Sequence, residues 1–240
     1  MRGNMLGRTR LSAVGLLTML AAPMSTFADS GPYLGIQAGA GIQDSSTLSL
    51  SGGTASSGML KFKPGPAGGL VGGYTFENGL RPEIAIDYQR NDLKNVGGNN
   101  SAARATASLY YNTAIDGYYF YLGGGAGYAR VSLHVDQSGG DDDYQPIYSA
   151  GTGFGVAATP HILLGVDYRY IGAIDKIHVA LDSTGGPVNG DYHYRSSVIT
   201  FAMRYSFGHL DSAAYAPDEP VSVVPLQLPP PPPAESGYSN

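Results

Sequence analysis

Ser196-Ser-Val-Ile-Thr-Phe-Ala-Met-Arg-Tyr-Ser-Phe207 is the stretch on which the reading of the whole chain turns. Ile199, Phe201, Met203, Tyr205 and Phe207 fall at every second position, so in a β-strand they share one face; Thr200, Ala202, Arg204 and Ser206 share the other. One face is apolar and ends in two aromatics, while the other holds an arginine among small residues. A soluble half-buried strand would turn its arginine to water and its large residues to a core. The rest of the sequence decides whether that is the case here.

Composition narrows the field. The chain has 240 residues, of which 14% are charged, below the roughly 25% usual in soluble domains, and 35 are glycine. There are 18 tyrosines, no tryptophan and no cysteine, which excludes a disulfide framework, a thiolate metal site and a cysteine nucleophile. With 14 Lys and Arg against 19 Asp and Glu, a basic nucleic-acid surface is not expected.

Residues 1–28 read as a secretory signal peptide. Arg2, Arg8 and Arg10 give a positive start, Leu11 to Ala22 an apolar run, and Thr26-Phe27-Ala28 approximates a small-x-small cleavage site. The run is shorter than the about 18 to 20 apolar residues that span a bilayer. Without its three arginines the formal charge moves from −5 to −8. The remaining sequence has no run long enough for a transmembrane helix, so a membrane protein of this sequence has to be a barrel.

Eight alternating runs follow. Leu34, Ile36, Ala38 and Ile42 alternate with Tyr33, Gly35, Gln37 and Gly41 in the first; Gly65 to Phe76 forms the second; and Leu80 to Leu93 sets Ile84, Ile86 and Tyr88 against Arg81, Glu83 and Asp87. Arg104 to Ile115 is the fourth, with Leu109 and Tyr111 opposite Ser108, Tyr110 and Asn112. Tyr118 to His134, the fifth, has aromatics on both parities, and its inward face is not assignable from sequence. Ile147 to Ala158 and Ile162 to Ile174, with Leu164, Val166 and Tyr168 against Asp167 and Arg169, lead to the eighth. Glu77-Asn78-Gly79, Asp116-Gly117 and Thr159-Pro160-His161 are short turns. Gln43 to Gly58, Asn95 to Ala102, Gln137 to Tyr144 and Asp175 to Tyr192 are long polar breaks.

Runs of ten or more residues exceed the usual globular strand and suit a tilted bilayer crossing. Long and short connections in strict alternation, with an even strand count, are the pattern of a transmembrane barrel. The rival is a soluble barrel of lipocalin type, apolar inside. Parity decides: Arg81, Glu83, Asp87, Asp167, Arg169 and Arg204 all share the face of Gly, Ala, Ser and Thr, which fits a narrow lumen. The expected fold is therefore all-β, an eight-stranded antiparallel up-and-down transmembrane barrel over 29–208. A Pro-rich, disordered periplasmic tail over 209–240, with prolines from Pro229 to Pro233, completes the chain.

On loop alternation, the Gly-rich strand Tyr121-Leu-Gly-Gly-Gly-Ala-Gly-Tyr128 and the last run, residues 31–208 resemble the transmembrane domain of outer-membrane protein A and its small eight-stranded relatives. The resemblance implies residence in the outer membrane, with the lipid bilayer and the barrel-assembly machinery as partners. It also implies a terminal assembly signal, carried here by Thr200, Ala202, Tyr205 and Phe207, with Ala202 in place of the usual glycine. In full-length relatives a linker like the Pro-rich tail leads to a peptidoglycan-binding domain, for which the residues up to Asn240 leave no room.

Candidate chemistry is sparse. The six lumen charges should pair across the barrel, because an unpaired charge in a narrow lumen is costly. They act either as a plug or as the gate of a narrow diffusion channel. Asp141 to Asp143 lack the spacing of a Ca²⁺ loop and read as a solvated acidic loop. His134, His161, His178, His193 and His209 form no metal pair on one element, and no metal or other cofactor is expected. His193 and Ser196 imitate the residues of lipid A-modifying barrel enzymes but, three apart in a strand, they lie on opposite faces. Tyr110, Tyr111, Tyr118, Tyr119, Tyr168 and Tyr170 read as girdle or lumen residues. The sequence thus points to a non-enzymatic barrel serving envelope integrity or surface interaction. Adhesion to a host or surface ligand would fall to Gln43 to Gly58 and Asp175 to Tyr192.

Overall fold

In the computed structural model eight strands hydrogen-bond side by side into a closed barrel, and four shorter strands form a separate sheet. The structure describes residues 30–51, 58–94, 97–115, 118–136, 139–183, 186–208 and 210. The stretch read as a signal peptide, the Asp116-Gly117 pair expected to form a turn, and the Pro-rich sequence beyond residue 210 lie outside the described residues.

In chain order the strands are β1 (Gly31–Gln43), β2 (Ser46–Ser51), β3 (Gly58–Leu60), β4 (Gly65–Thr75), β5 (Leu80–Asp92) and β6 (Gly98–Ile115). They continue with β7 (Tyr118–Val135), β8 (Gly139–Thr159), β9 (Ile162–Ala173), β10 (Ile177–Ser183), β11 (Gly186–Tyr192) and β12 (Arg195–Ser206). The barrel order is β1-β12-β9-β8-β7-β6-β5-β4, antiparallel throughout. The decisive strand β12 closes it: Ile36 faces Met203 and Gly39 faces Thr200 across the β1 seam, while Thr200 faces Asp167 on β9.

The parity anticipated from sequence is the observed one. Leu70, Ile84 and Phe201 are more than 60% exposed on the outer wall, whereas Arg81, Glu83 and Arg204 are at most 3% exposed in the lumen. An apolar wall around a polar interior has the sense of lipid contact, not of a soluble core. The inward face of β7, unassignable from sequence, is the odd one. Tyr119, Tyr121, Ala129, Val131 and Leu133 are buried, while Tyr118, Phe120 and Leu122 face out.

The long breaks are the part of the expectation that changes. Instead of irregular loops from Asn95 and Gln137, β6 begins at Gly98 and β8 at Gly139, so β6, β7 and β8 reach 18, 18 and 21 residues. Gln43 to Gly58 contains β2, and Asp175 to Tyr192 folds into the β10–β11 hairpin, Ile177 facing Tyr192 and Ser183 facing Gly186. β11 then pairs with β2 through Asn189↔Ser51, Gly190↔Leu50 and Asp191↔Ser49, and β2 pairs with β3. The physical reason is burial. Leu48, Ile177, Val179 and Tyr192 from this sheet pack with Val131, Leu133, Ile147 and Ile171 from the barrel wall into one apolar cluster. That burial outweighs the weak strand propensity of Ser and Gly.

Candidate functional site

The lumen is built in three layers. At the loop end the apolar cluster just described fills it. At the turn end Tyr119, Ala157, Leu163 and Leu210 form a second cluster, with Leu210 N–H donating to the Pro160 carbonyl at 2.8 Å. Between them lie seven buried charged side chains.

All six charges expected in the lumen are there, and the structure brings them together. Glu83 stands 3.8 Å from Arg81, 3.5 Å from Arg169 and 3.9 Å from Arg204, and accepts the Tyr33 hydroxyl at 2.7 Å. Asp87 pairs with Arg169 at 3.4 Å and with Arg104. Asp167 pairs with Arg204 and accepts the Tyr121 hydroxyl. Shared carboxylates hold several guanidiniums in fixed orientation, which is what makes buried charge tolerable.

Arg104, Tyr33, Tyr121, Gln89 and Tyr194 are the site residues that the sequence reading did not single out. Arg104 shares the inward parity of Ser108 and Tyr110, so the signal existed, hidden by its place at the edge of a run. Its guanidinium donates to Gln89 Oε1 and to the Tyr194 hydroxyl, both at 3.0 Å. Gln89 in turn donates to Ser196 Oγ at 2.9 Å. Arg81 is held differently, with its guanidinium carbon 4.2 Å from the Tyr121 ring centroid, 4.9 Å from Tyr110 and 5.6 Å from Tyr33. Gly153 makes room for the cage: a Cβ there would stand 2.1 Å from Tyr121 Cζ.

Little space remains. One lumen cavity, beside Asp87, Arg104, Asp167 and Arg169, measures about 10 Å³, and another between Arg81 and Leu210 about 40 Å³. The first is at the lower limit of what one water needs, and the second has room for a few water-sized bodies. Outside the barrel, a cleft of about 330 Å³ on the flank of the four-stranded sheet is lined by residues including Asp44, Ser46, Ser49, Lys176, His193 and Arg195.

The remaining sequence candidates resolve as follows. In the terminal strand Thr200 and Ala202 face the lumen, while Tyr205 and Phe207 lie on the outer wall with ring centroids 5.2 Å apart. His193 is exposed and Ser196 wholly buried on the opposite face, so the two do not form a reactive pair. Tyr110 and Tyr119 face in, and Tyr111, Tyr118 and Tyr168 face out. The acidic run is not a solvated loop: Asp143 accepts the backbone N–H of His178 at 2.7 Å and Asp141 that of Ala180 at 2.8 Å, docking β10 against β8. Asp142 points the other way, where hydrogen bonds from Ser132 and then Arg130 hold its carboxyl below the usual range. No group of three or more acidic and histidine side chains suited to a metal occurs among the described residues. In the sheet, the Asp191 carboxylate bonded to His178 at 2.7 Å raises that imidazole above its ordinary value.

The profile of the outer membrane protein beta-barrel domain family matches residues 12–207. The chain belongs to that family. Solved structures of similar shape include Neisserial surface protein A, 23% identical with a TM-score of 0.48 over 74% of this chain and 98% of that one. AlkL, determined in DMPC bilayers, is 16% identical with a TM-score of 0.50 over 87% and 97%. Ail, the attachment invasion locus protein of Yersinia pestis, is 15% identical with a TM-score of 0.38 over 72% and 98%. At such identities the likeness concerns the fold. No curated protein sequence matches the chain. As a member of the outer-membrane barrel family the protein resides in the outer membrane, crossing it with the eight barrel strands.

Proposed function

We propose that the protein is a non-enzymatic barrel whose work is surface interaction, carried by the four-stranded sheet at its loop end. The observation behind this reading is that two long loops, which a barrel needs only as connections, are knit into one sheet. That sheet stands on an apolar core and has a polar cleft on its flank. A rigid, largely pre-formed concave surface loses little ordering entropy when a ligand binds. Ser and Asp side chains beside Lys176, His193 and Arg195 suit a polar, hydroxyl-rich ligand such as a surface saccharide.

The distribution of cations supports an outward-facing sheet. Arg90, Arg130 and Arg195 stand beyond Tyr88, Tyr128 and Tyr170 along their own or paired strands, next to the level where the phosphates of an outer leaflet lie. In this setting the ion-paired lumen is a plug that fixes strand register. The terminal residues Thr200, Ala202, Tyr205 and Phe207 serve assembly rather than binding.

The test is binding of cells displaying the protein to immobilised saccharides and matrix proteins, beside a Lys176→Ala/His193→Ala/Arg195→Ala variant. Binding that the variant loses, with the barrel still assembled, supports the reading. Equal binding by cells lacking the protein would overturn it.

A further inference from the structure

The four guanidiniums of the lumen face only three carboxylates, leaving one buried positive charge in excess among the described residues. The excess sits at Arg81. Arg104 and Arg169 flank Asp87, and Arg204 takes Asp167, whereas Arg81 has only Glu83 at 3.8 Å, a carboxylate shared with two other arginines. Arg81 Nε, Arg81 Nη2 and Arg204 Nε are buried without a hydrogen bond; Glu83 Oε2 stands 3.8 Å from Arg81 Nη2 and 3.9 Å from Arg204 Nε, too far for either to donate to it, and no carboxylate is paired with Arg81 Nε. Both arginines line the cavity of about 40 Å³ in the turn-end half of the lumen, together with Ser206 and with Asn112, whose Oδ1 is likewise without a partner, and Leu163 and Leu210 border it.

A buried polar group without a partner is costly, and an uncompensated buried charge more so. Water can satisfy the N–H groups but does not neutralise the charge. The tyrosine rings around Arg81 offset part of the cost through their faces, which leaves the edge N–H groups still to be satisfied. The volume exceeds what one water needs and suits a monatomic anion with a water or two.

We infer that this cavity is a binding site for a small monovalent anion, chloride in the cell, which accepts the free N–H groups of Arg81 and Arg204 and brings the lumen to neutrality. The site is a counter-ion position within the plug, trapped between the ionic layer and Leu210, and it is independent of any ligand on the outer sheet.

The test uses the protein refolded in detergent and crystallised from bromide, together with thermal unfolding in chloride against acetate at fixed ionic strength. The expected results are an anomalous bromide peak beside Arg81 and Arg204, and an unfolding midpoint that rises with chloride and saturates. Arg81→Gln should abolish both. Because that variant also removes the tyrosine-caged cation, Asn112→Leu, which keeps every charge and makes the cavity less polar, is the second arm and should lose the chloride response while remaining folded. Bromide found only at surface positions, or a chloride response equal in wild type and both variants, would overturn the inference.

Discussion

At the scale of single residues, the lumen network ranks the charges by what they leave behind. Asp167→Ala strips Arg204 of its closest partner and leaves it with Glu83 at 3.9 Å. Breaking a buried pair from one side is expected to cost about 3–5 kcal/mol, read from urea unfolding of the refolded barrel in lipid vesicles by circular dichroism. Replacing both partners, Asp167→Leu with Arg204→Met, should cost clearly less than the sum of the single changes, because no orphaned charge remains. Additive losses would show that the two side chains act separately. The six charges were legible in the sequence because strict alternation assigns each to one face. Arg104 and Tyr121 were not, for two different reasons. Arg104 begins its run where the polar break was thought to end, and Tyr121 lies in a strand with aromatics on both faces. Only its register against Gly153, a long-range fact, tells which side has room for the ring.

The same division holds for whole elements. Barrel strands announce themselves because lipid on one side and a lumen on the other demand period-two alternation over many residues. β2, β10 and β11 are short, rich in Ser, Gly and Asp, and acquire their order from each other and from the apolar cluster beneath them. Local sequence does not encode such pairing, so the stretches read as breaks. Asp141 and Asp143 make this concrete, since their carboxylates accept backbone N–H groups of β10. In an Asp141→Ala/Asp143→Ala variant amide exchange at His178 and Ala180 should quicken by roughly tenfold or more, the equivalent of about 1.5 kcal/mol or more of lost charge-assisted hydrogen bonding. Unchanged exchange would show that β10 is held by its apolar face alone. The His178 and Asp191 pair adds a pH dependence to the sheet. Its imidazole is raised above 6.5 by the Asp191 hydrogen bond, with Asp143 and Asp175 adding to the effect. Its contribution is therefore fully present below the unfolded value and fades as pH rises through the folded one. The side chain is exposed, so the effect is small. Its signature is an NMR titration midpoint for His178 above 6.5 in wild type that falls back toward 6.5 in Asp191→Asn. Immediately after β12, the aromatic Phe207 lies on the lipid wall and packs on Tyr205. If the strand end serves as the assembly signal, Phe207→Ala should lower the amount of protein reaching the outer membrane several-fold in cells. Refolding in detergent should stay nearly unchanged, and an equal defect in both would reduce Phe207 to a packing residue.

At the scale of the molecule the lumen closes three times over, and the three closures differ in kind. An ionic gate opens when pairs exchange partners, and Glu83, shared by three arginines within 3.9 Å, is where such an exchange would start. Above it, however, stand Val131, Leu133, Ile147 and Ile171 with the sheet residues packed on them, and below it Tyr119, Leu163 and Leu210. Apolar closures of this sort exclude ions irrespective of the charges between them. Refolded protein in a planar bilayer should therefore be silent, and so should Arg81→Ala and Glu83→Ala, although both variants lose stability. Conductance steps should require the outer closure to be breached as well, for example by Leu133→Ala with Ile147→Ala, in a chain that already carries Glu83→Ala. Steps from Glu83→Ala alone would mean that the apolar layers yield readily, and that the ionic layer was the true barrier of a narrow channel.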